Sequence, residues 1–212
     1  TSCEEFSVFV LSLSGRPGHG RAGSDPVPAL LSALEGLDLP LPPERTMGPE
    51  ALVLAGRAEV ALEVLLRAAE IGDLAVGLGV GAVARPLPGV VREISGPAVE
   101  AAAEAQRAAV TTSQVPLAVR AADERHRDTA ADAEAVLRLV GWMIRRRNRG
   151  QWETVRALRE DPGATQTQLA QQLGVTQQTV SRAMKTSGWR EESAAHPLAV
   201  RLLSMIDLTS AR

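Results

Sequence analysis

Polar side chains that can hydrogen-bond to nucleic acid recur at helical spacing between residues 165 and 185, in the segment TQTQLAQQLGVTQQTVSRAMK. A glutamine amide can bind an adenine edge through two hydrogen bonds, and an arginine binds guanine in the same way. Threonine, serine and lysine side chains bind phosphate oxygens. The side chains that we expect to contact double-stranded DNA are Thr167, Thr176, Gln177, Gln178, Ser181, Arg182 and Lys185.

Two short amphipathic helices would position these side chains. Their apolar residues at helical spacing are Leu169, Ala170 and Leu173 in the first helix and Val180, Ala183 and Met184 in the second. The small Ala170 leaves room for the helices to cross, and Gly174 tolerates the positive φ that the turn needs. Thr176 is the expected N-cap of the second helix, which Val175 and Val180 are expected to anchor. Any pair of short helices could share this apolar spacing, but a purely structural pair would usually carry Glu and Lys outside.

The order Ala170, Gly174 and Val180 resembles the helix-turn-helix of bacterial transcription regulators, including the winged-helix MarR-type proteins. The resemblance implies binding to duplex DNA. One recognition helix contacts only a few base pairs, and regulators of this type usually place two on neighbouring half-sites, so we expect a homodimer. Residues 190–195 are too few and too poor in β-forming residues to predict the wing hairpin of the MarR pattern.

The charge is distributed unevenly along the chain, whose formal net charge is −2. From Ala133 onward there are 12 Lys or Arg and 7 Asp or Glu, a net charge of +5, whereas the preceding part has 11 and 18, a net charge of −7. A positive field around the predicted helix pair would raise its affinity for DNA. This asymmetry predicts a DNA-reading part and a separate controlling part.

Composition also bounds the compartment and the chemistry. Cys3 is the only cysteine, so one chain forms no internal disulfide, which suits a reducing cytoplasm. The apolar run at residues 6–13 is too short to span a bilayer and follows two glutamates, so it is a poor signal peptide. We therefore expect a cytoplasmic protein. No metal site is expected from the three scattered histidines, His19, His126 and His196.

Residues 6–121 alternate short apolar runs with amphipathic stretches, which predicts an α+β sandwich with helices on one face of an antiparallel-rich sheet. The predicted strands are residues 6–13, 45–47, 51–55, 74–84 and 115–121, and the predicted helices are residues 28–37, 57–71 and 97–111. Gly48, Pro49 and Glu50 form the expected hairpin turn. The loop at residues 15–24 has Arg21 and Ala22 where a P-loop needs Lys and Ser or Thr, which indicates a surface loop.

The segments GPEALVLAG, LAVGLGVGAVARP and ISGPAVEAAAEAQRAA, in this order, resemble a degenerate nucleotide-cyclase or GGDEF-type domain. The whole chain resembles the SatD family, which joins such a domain to a C-terminal helix-turn-helix. The resemblance implies a ferredoxin/cyclase-like α/β sandwich followed by an all-α domain. Cyclase-type catalysis uses carboxylates on the first strand and the hairpin turn to hold two cations. Here Ser12 and Ser14 lie on the first strand and only Glu50 is acidic in the turn, so we expect no catalysis, no metal and no cofactor.

A domain of this kind without catalysis is expected to sense a nucleotide-like ligand, to dimerise, or both. Two alternatives stay open: a nucleotide-metabolising, cyclase-like enzyme, and a DNA-binding switch that responds to a cyclic dinucleotide. The pairs Arg120 with Asp123 and Arg125 with Asp128 have the RxxD spacing of cyclic-dinucleotide sites in GGDEF proteins. They lie far downstream of the hairpin, which favours a solvated linker.

The C-terminal part begins with a long helix predicted at residues 128–148, whose basic end carries Arg145, Arg146, Arg147 and Arg149. These arginines either bind DNA phosphates or are a solvated helix end that the helix dipole favours. Gly150 is the expected break, followed by helices at residues 151–159 and 196–208. The predicted domains are a cyclase-like sensor or dimerisation domain (1–122), a connecting or dimerisation helix (123–149) and a DNA-binding domain (150–212).

Overall fold

The computed structural model of the chain describes residues 6–16 and 25–210, so Cys3 and most of the predicted loop at residues 15–24 lie outside the described residues. The strands are β1 (Phe6–Gly15), β2 (Glu44–Arg45), β3 (Glu50–Ala55), β4 (Leu74–Val83) and β5 (Leu117–Ala121). The helices are α1 (Val27–Ala33), α2 (Ala58–Ile71), α3 (Pro97–Val110), α4 (Arg127–Arg145), α5 (Arg149–Glu160), α6 (Gln166–Leu173), α7 (Gln177–Thr186) and α8 (Trp189–Ser210). Two short 3₁₀ helices cover Val91–Glu93 and Glu124–His126.

The five strands form one mixed sheet in the order β2-β3-β1-β4-β5. β1 lies in the middle and pairs antiparallel with β3 and β4, whereas β5 joins the other side of β4 in parallel. A parallel neighbour requires a crossover, and α3 supplies it between β4 and β5. The predicted order of strands and helices over residues 6–121 is therefore confirmed.

Helices cover both faces of the sheet, so the prediction that they lie on one face is wrong. Every residue of β4 except Ala82 is buried, and a strand buried on both faces needs a layer on each side. On one side, Phe9, Leu11 and Leu13 of β1 pack in a core with residues of α1, α2, α4 and α8. On the other side, Val8 and Val10 pack against α3.

The hairpin between β2 and β3 is shifted from its predicted position. β2 is only two residues long, and Glu50 begins β3 instead of ending the turn. The Thr46 N–H donates to the Glu50 carbonyl at 3.0 Å, and Gly48 takes a positive φ of 58° between them. Glu50 therefore lies on a strand, directly opposite Ser14 of β1.

The connection between α4 and α5 also differs from the prediction. α4 ends at Arg145, and Asn148 is the N-cap of α5. The Asn148 side chain accepts the Gln151 N–H at 3.0 Å, and the Gln151 side chain accepts the Asn148 N–H at 2.9 Å. Gly150 lies in the first turn of α5, so the prediction that it breaks the helix is wrong. A reciprocal cap at Asn148 outweighs the low helix propensity of one glycine.

The last helix is longer than predicted, since it begins at Trp189 and includes Pro197. Its later residues Ala199, Leu203 and Ile206 are completely buried in the main core against the sheet. Residues 150–212 therefore do not pack independently of the sheet. Among the described residues, no helix is long and apolar enough to cross a membrane.

The close approach of α3 to β4 depends on glycines. A Cβ added at Gly77 would lie 2.2 Å from the Gln106 backbone nitrogen, and one at Gly79 would lie 2.2 Å from the Ala98 carbonyl oxygen. The Gly77 N–H also donates to the Gln106 side chain at 2.8 Å. The glycines of β4 therefore allow α3 to lie directly on the strand.

We predict that Gly79→Ala lowers the free energy of unfolding by at least about 2 kcal/mol, because the methyl group overlaps the backbone of α3 and neither element can move without disturbing the core. Urea denaturation followed by circular dichroism would measure the change. Gly89→Ala is the control, because its Cβ meets nothing within 4 Å. Equal stability of the two variants would contradict the packing described.

Candidate nucleic-acid interface

The helices α6 and α7 form a compact pair with well-defined ends. Thr165 caps α6, where its side chain accepts the Gln168 N–H at 3.3 Å and its own N–H donates to the Gln168 side chain at 2.8 Å. Gly174 ends α6 in the left-handed conformation with φ 66°, as predicted. Thr176 caps α7 by accepting the Thr179 N–H at 3.2 Å, which confirms its predicted role.

The pair is held by a small apolar core that it shares with α5. Leu169 and Val180 are completely buried, and Ala170 lies between them with 7% exposure, as its predicted role at the crossing requires. Leu158 of α5 completes the core. Val175 is 42% exposed, so the prediction that it anchors α7 is wrong, and Val180 performs that role.

The side chains predicted to contact DNA lie on the outer surface of this pair. Thr167, Thr176, Gln177, Gln178, Arg182 and Lys185 are exposed, and Ser181 is half-buried. Val180 and Ala183 are buried on the opposite side of α7, so most of this face stays exposed. Arg182 and Lys185 form no ion pair with any carboxylate of the described residues, so both charges are available to an outside partner.

Three of the four arginines of the predicted basic cluster are exposed. Arg145 and Arg146 are exposed at the end of α4, and the Arg146 guanidinium lies 4.7 Å from the ring centre of Trp142. Arg149 is exposed in the first turn of α5 and pairs with Glu153 at 2.8 Å. The Gln151 amide donates to the Thr186 hydroxyl at 2.8 Å, so the beginning of α5 lies beside the end of α7.

Arg147 is buried, and the prediction that it binds DNA is wrong. Its side chain is 1% exposed, forms an ion pair with Glu192, and donates to the Ser187 carbonyl at 2.8 Å. Its guanidinium also lies 5.0 Å from the ring centre of Trp152. Arg147 thus ties the end of α7 to α8. The sequence does not reveal this role, because Glu192 lies 45 residues away.

Glu192 is the centre of the charged cluster that positions the helix pair. Its side chain is completely buried, and besides Arg147 it contacts Arg159 at 2.8 Å and His196 at 3.3 Å. Burial of the carboxyl opposes its ionisation, but the contact with His196 and the charges of Arg147 and Arg159 outweigh burial, so that the pKa of Glu192 is lowered to about 2.

A second cluster connects the helix pair to the sheet. Glu70 of α2 forms ion pairs with Arg156 and, at 3.5 Å, with Arg159 of α5. Since Arg159 also contacts Glu192, one arginine joins the two carboxylates. Beside these residues α2, α5 and α8 border a cleft of about 1030 Å³ whose wall includes Trp189 and His196.

The two RxxD pairs do not form one site. Arg120 pairs with Glu134 at 2.9 Å and Glu104 at 3.3 Å instead of with Asp123. Asp123 accepts hydrogen bonds from the Arg125 side chain and backbone, which lower the pKa of Asp123 to about 2. Arg120, Asp123 and Arg125 are therefore engaged by neighbouring groups of the same chain.

Ser14 and Glu50, which the cyclase resemblance would place at a metal centre, lie opposite each other on β1 and β3. Ser14 is buried and accepts a hydrogen bond from the Gln106 side chain, and Glu50 is exposed opposite it. Within the described residues, no three His, Cys, Asp or Glu side chains come together in a way that could hold a metal ion.

Residues 151–186, which comprise α5 without its first two residues and all of α6 and α7, match the family described as winged helix-turn-helix DNA-binding. This segment is a DNA-binding helix-turn-helix. α7, the second helix of the pair, takes the place of the recognition helix in this motif, and its side chains Gln177, Gln178 and Arg182 are exposed. No strand lies between α7 and α8, which begins three residues later, so the described residues contain no wing hairpin after the recognition helix.

Two further comparisons concern the whole chain. No curated protein matches it significantly. A solved structure of a regulator of polyketide synthase expression from Bifidobacterium adolescentis is similar at 21% sequence identity, over 98% of this chain and 82% of that chain, with a TM-score of 0.27.

We predict that Glu192→Gln lowers the free energy of unfolding at pH 7 by about 3–5 kcal/mol, because Arg147 is left buried without an opposite charge. The pKa of Glu192 is lowered from 4.5 to about 2 in the folded protein, so its contribution is complete above pH 4.5 and is lost as the pH falls towards 2. Urea denaturation at pH 7 and pH 3 should therefore show a smaller difference between variant and wild type at pH 3.

The control for this measurement is Glu153→Gln, which breaks the exposed pair with Arg149 and should change stability by less than about 0.5 kcal/mol. A pH-independent difference between Glu192→Gln and the wild type would contradict the assigned ionisation of Glu192.

Proposed function

We propose that the protein is a cytoplasmic, sequence-specific transcriptional regulator that binds duplex DNA as a homodimer. The observation that carries the proposal is the recognition helix, whose outer face exposes Gln177, Gln178 and Arg182, and the arginine forms no ion pair within the described residues. The major groove of B-DNA admits one helix and displays the donor and acceptor pattern that such side chains read. We assign base recognition to these three residues.

The remaining polar residues of the helix pair are assigned to the DNA backbone. Thr167, Thr176, Ser181 and Lys185 flank the reading side chains, and phosphate contacts of this kind set the register of a helix in the groove. We also assign phosphate binding to Arg149, in the first turn of α5 beside the end of α7, and to Arg145, exposed at the end of α4. The net charge of +5 after residue 132 supports association with a polyanion.

We predict that changing Gln177, Gln178 and Arg182 together to alanine abolishes sequence preference while leaving the fold intact, since all three are exposed. Each lost base contact is worth about 1–3 kcal/mol, so the affinity for a preferred sequence should fall at least about 100-fold. The measurement is fluorescence anisotropy with a duplex selected from a random library by the wild type, against an unselected duplex.

Two single variants separate the two kinds of contact. Lys185→Ala should weaken binding to both duplexes equally and reduce the salt slope by about 1. Gln114→Ala, an exposed glutamine before β5, should change nothing. A triple variant that still prefers the selected duplex would show that another element reads the bases.

The proposal extends to the part of the chain that contains β1 to β5 and α1 to α3, which we call the sheet domain. We assign it a ferredoxin/cyclase-like fold without catalytic function, and we propose that it senses a nucleotide-like ligand. The strand order with β1 between β3 and β4 supports this fold. Ser12 and Ser14 lie on β1, where cyclase-type catalysis uses a carboxylate, and this supports loss of the two-metal chemistry. The cleft beside Glu70 and Arg159 supports a ligand site, because it borders both the sheet domain and the DNA-binding helix-turn-helix.

A ligand that binds only the folded state raises the melting temperature, so we predict a rise with at least one of ATP, GTP and the cyclic dinucleotides. At a ligand concentration 100 times the dissociation constant, the free energy of unfolding should increase by about 2.7 kcal/mol. Differential scanning fluorimetry would detect it. Turnover of the bound nucleotide with Mg²⁺ or Mn²⁺ would contradict the non-catalytic assignment, and no shift with any of them would contradict the sensing role.

A further inference from the structure

The outer side of α4 carries a stripe of six exposed residues whose spacing alternates between four and three. They are Asp128, Asp132, Ala135, Leu139, Trp142 and Arg146. This alternation is typical of a heptad repeat, in which the residues so spaced form the helix face that packs along another helix. At a rise of 1.5 Å per residue the stripe is about 27 Å long. We call these six residues the α4 stripe.

All six residues of the α4 stripe are exposed in the described part of the chain. The opposite side of α4 fills the main core through Leu137, Val140 and Ile144, which are almost completely buried. Leu139 and Trp142, in contrast, are 66% and 46% exposed. Two large apolar side chains next to each other on a helix surface are typical of an interface, and tryptophan is common among residues that dominate binding energy.

The charges of the α4 stripe are separated by sign along the helix. Asp128 and Asp132 lie at its beginning and Arg146 lies at its end, with Ala135, Leu139 and Trp142 between them. Asp128 and Asp132 form no ion pair with any described cation, and Arg146 forms none with any described carboxylate. The stripe therefore consists of an acidic end, an apolar middle and a basic end.

This pattern is complementary to itself in one orientation only. When two such helices lie antiparallel about a two-fold axis, Asp128 faces the partner's Arg146, Asp132 faces the partner's Trp142, and Ala135 faces the partner's Leu139. A small side chain then meets a large one, and opposite charges meet at both ends. A parallel arrangement would set Asp128 against Asp128 and Arg146 against Arg146, which is repulsive.

We propose that α4 pairs antiparallel with the α4 of a second copy of this chain through the α4 stripe. The inference rests on the proposed function for the need of a dimer, and adds the surface, the orientation and the register. Asp132 reaches the partner's Arg146 as well, because that guanidinium lies on the Trp142 ring. Arg146 is then a dimer contact, and phosphate binding is left to Arg145 and Arg149.

The first experiment is sedimentation velocity on the full chain at several concentrations. Leu139→Glu places two carboxylates at the centre of the seam, so the dimer should dissociate, while circular dichroism remains unchanged because Leu139 is exposed. Leu198→Glu is the matched control on α8, where Leu198 is 40% exposed outside the stripe, and it should remain dimeric. A monomeric wild type, or a Leu139→Glu variant that is still dimeric, overturns the inference.

The second experiment tests orientation by exchanging the charges of the two ends. Asp128→Arg alone and Arg146→Asp alone should each raise the dimer dissociation constant by about tenfold, because two contacts per dimer become repulsive. The double variant should restore it to within about threefold of the wild type, since the exchanged charges meet again. Single variants without effect, or a double variant that is weaker than both single variants, would indicate another arrangement and overturn the inference.

The same samples separate this inference from the proposed function. If Leu139→Glu dissociates the dimer and the double variant restores it, but no duplex is preferred by the wild type, the α4 seam stands and the regulator proposal fails. If the wild type prefers a selected duplex while Leu139→Glu stays dimeric, the regulator proposal stands and the α4 seam fails.

Discussion

The position of the recognition helix depends on the ion pairs of the buried Glu192 carboxylate. Glu192 lies on α8 and pairs with Arg147 from the α4–α5 connection and with Arg159 from α5. A buried charge is tolerated only when it is paired and hydrogen-bonded, so these elements cannot separate without exposing or orphaning a charge. Because Arg147 also donates to the Ser187 carbonyl, the end of α7 is held by the same cluster. Apolar burial of Val180 alone would hold α7 against α6 but would not orient the pair relative to α4.

The sheet domain and the helix-turn-helix are joined by packing as well as by charge. α8 begins beside α7 and continues into the core of the sheet domain, where Leu203 and Ile206 are completely buried. α5 also contacts the sheet domain, because its Arg156 and Arg159 form ion pairs with Glu70 of α2. Arg159 contacts both Glu70 and Glu192. A change of charge at the cleft therefore alters the electrostatic interactions of the cluster that holds α7. This gives the sensing role proposed for the sheet domain a physical route to the DNA-reading surface.

Local patterns in the sequence predicted the order of the helices and strands, but not which distant residues these elements contact. The cap at Thr176, the left-handed Gly174 and the outward face with Gln177 depend on neighbours within a few residues, and each was predictable. Arg147 has the same sequence neighbourhood as Arg146, yet one is buried and the other exposed, because the difference is made by Glu192 far along the chain. Likewise, β4 is covered by the neighbouring helix α3 on one face and on the other by a core that includes residues of α8, and periodicity within the strand does not show which helix lies on which face.

α4 carries two different surfaces, and their arrangement connects dimer geometry with DNA reading. Its inner face is fixed to the main core by Leu137 and Ile144, and its outer face carries the α4 stripe. Only Arg146 separates the helix from Arg147, which holds the end of α7 through Ser187. In a dimer joined at the stripe, the path from the two-fold axis to each recognition helix therefore runs through packed helices and a buried ion pair, without a flexible linker. The separation of the two recognition helices is then a property of the protein fold, and the spacing of DNA half-sites must match it.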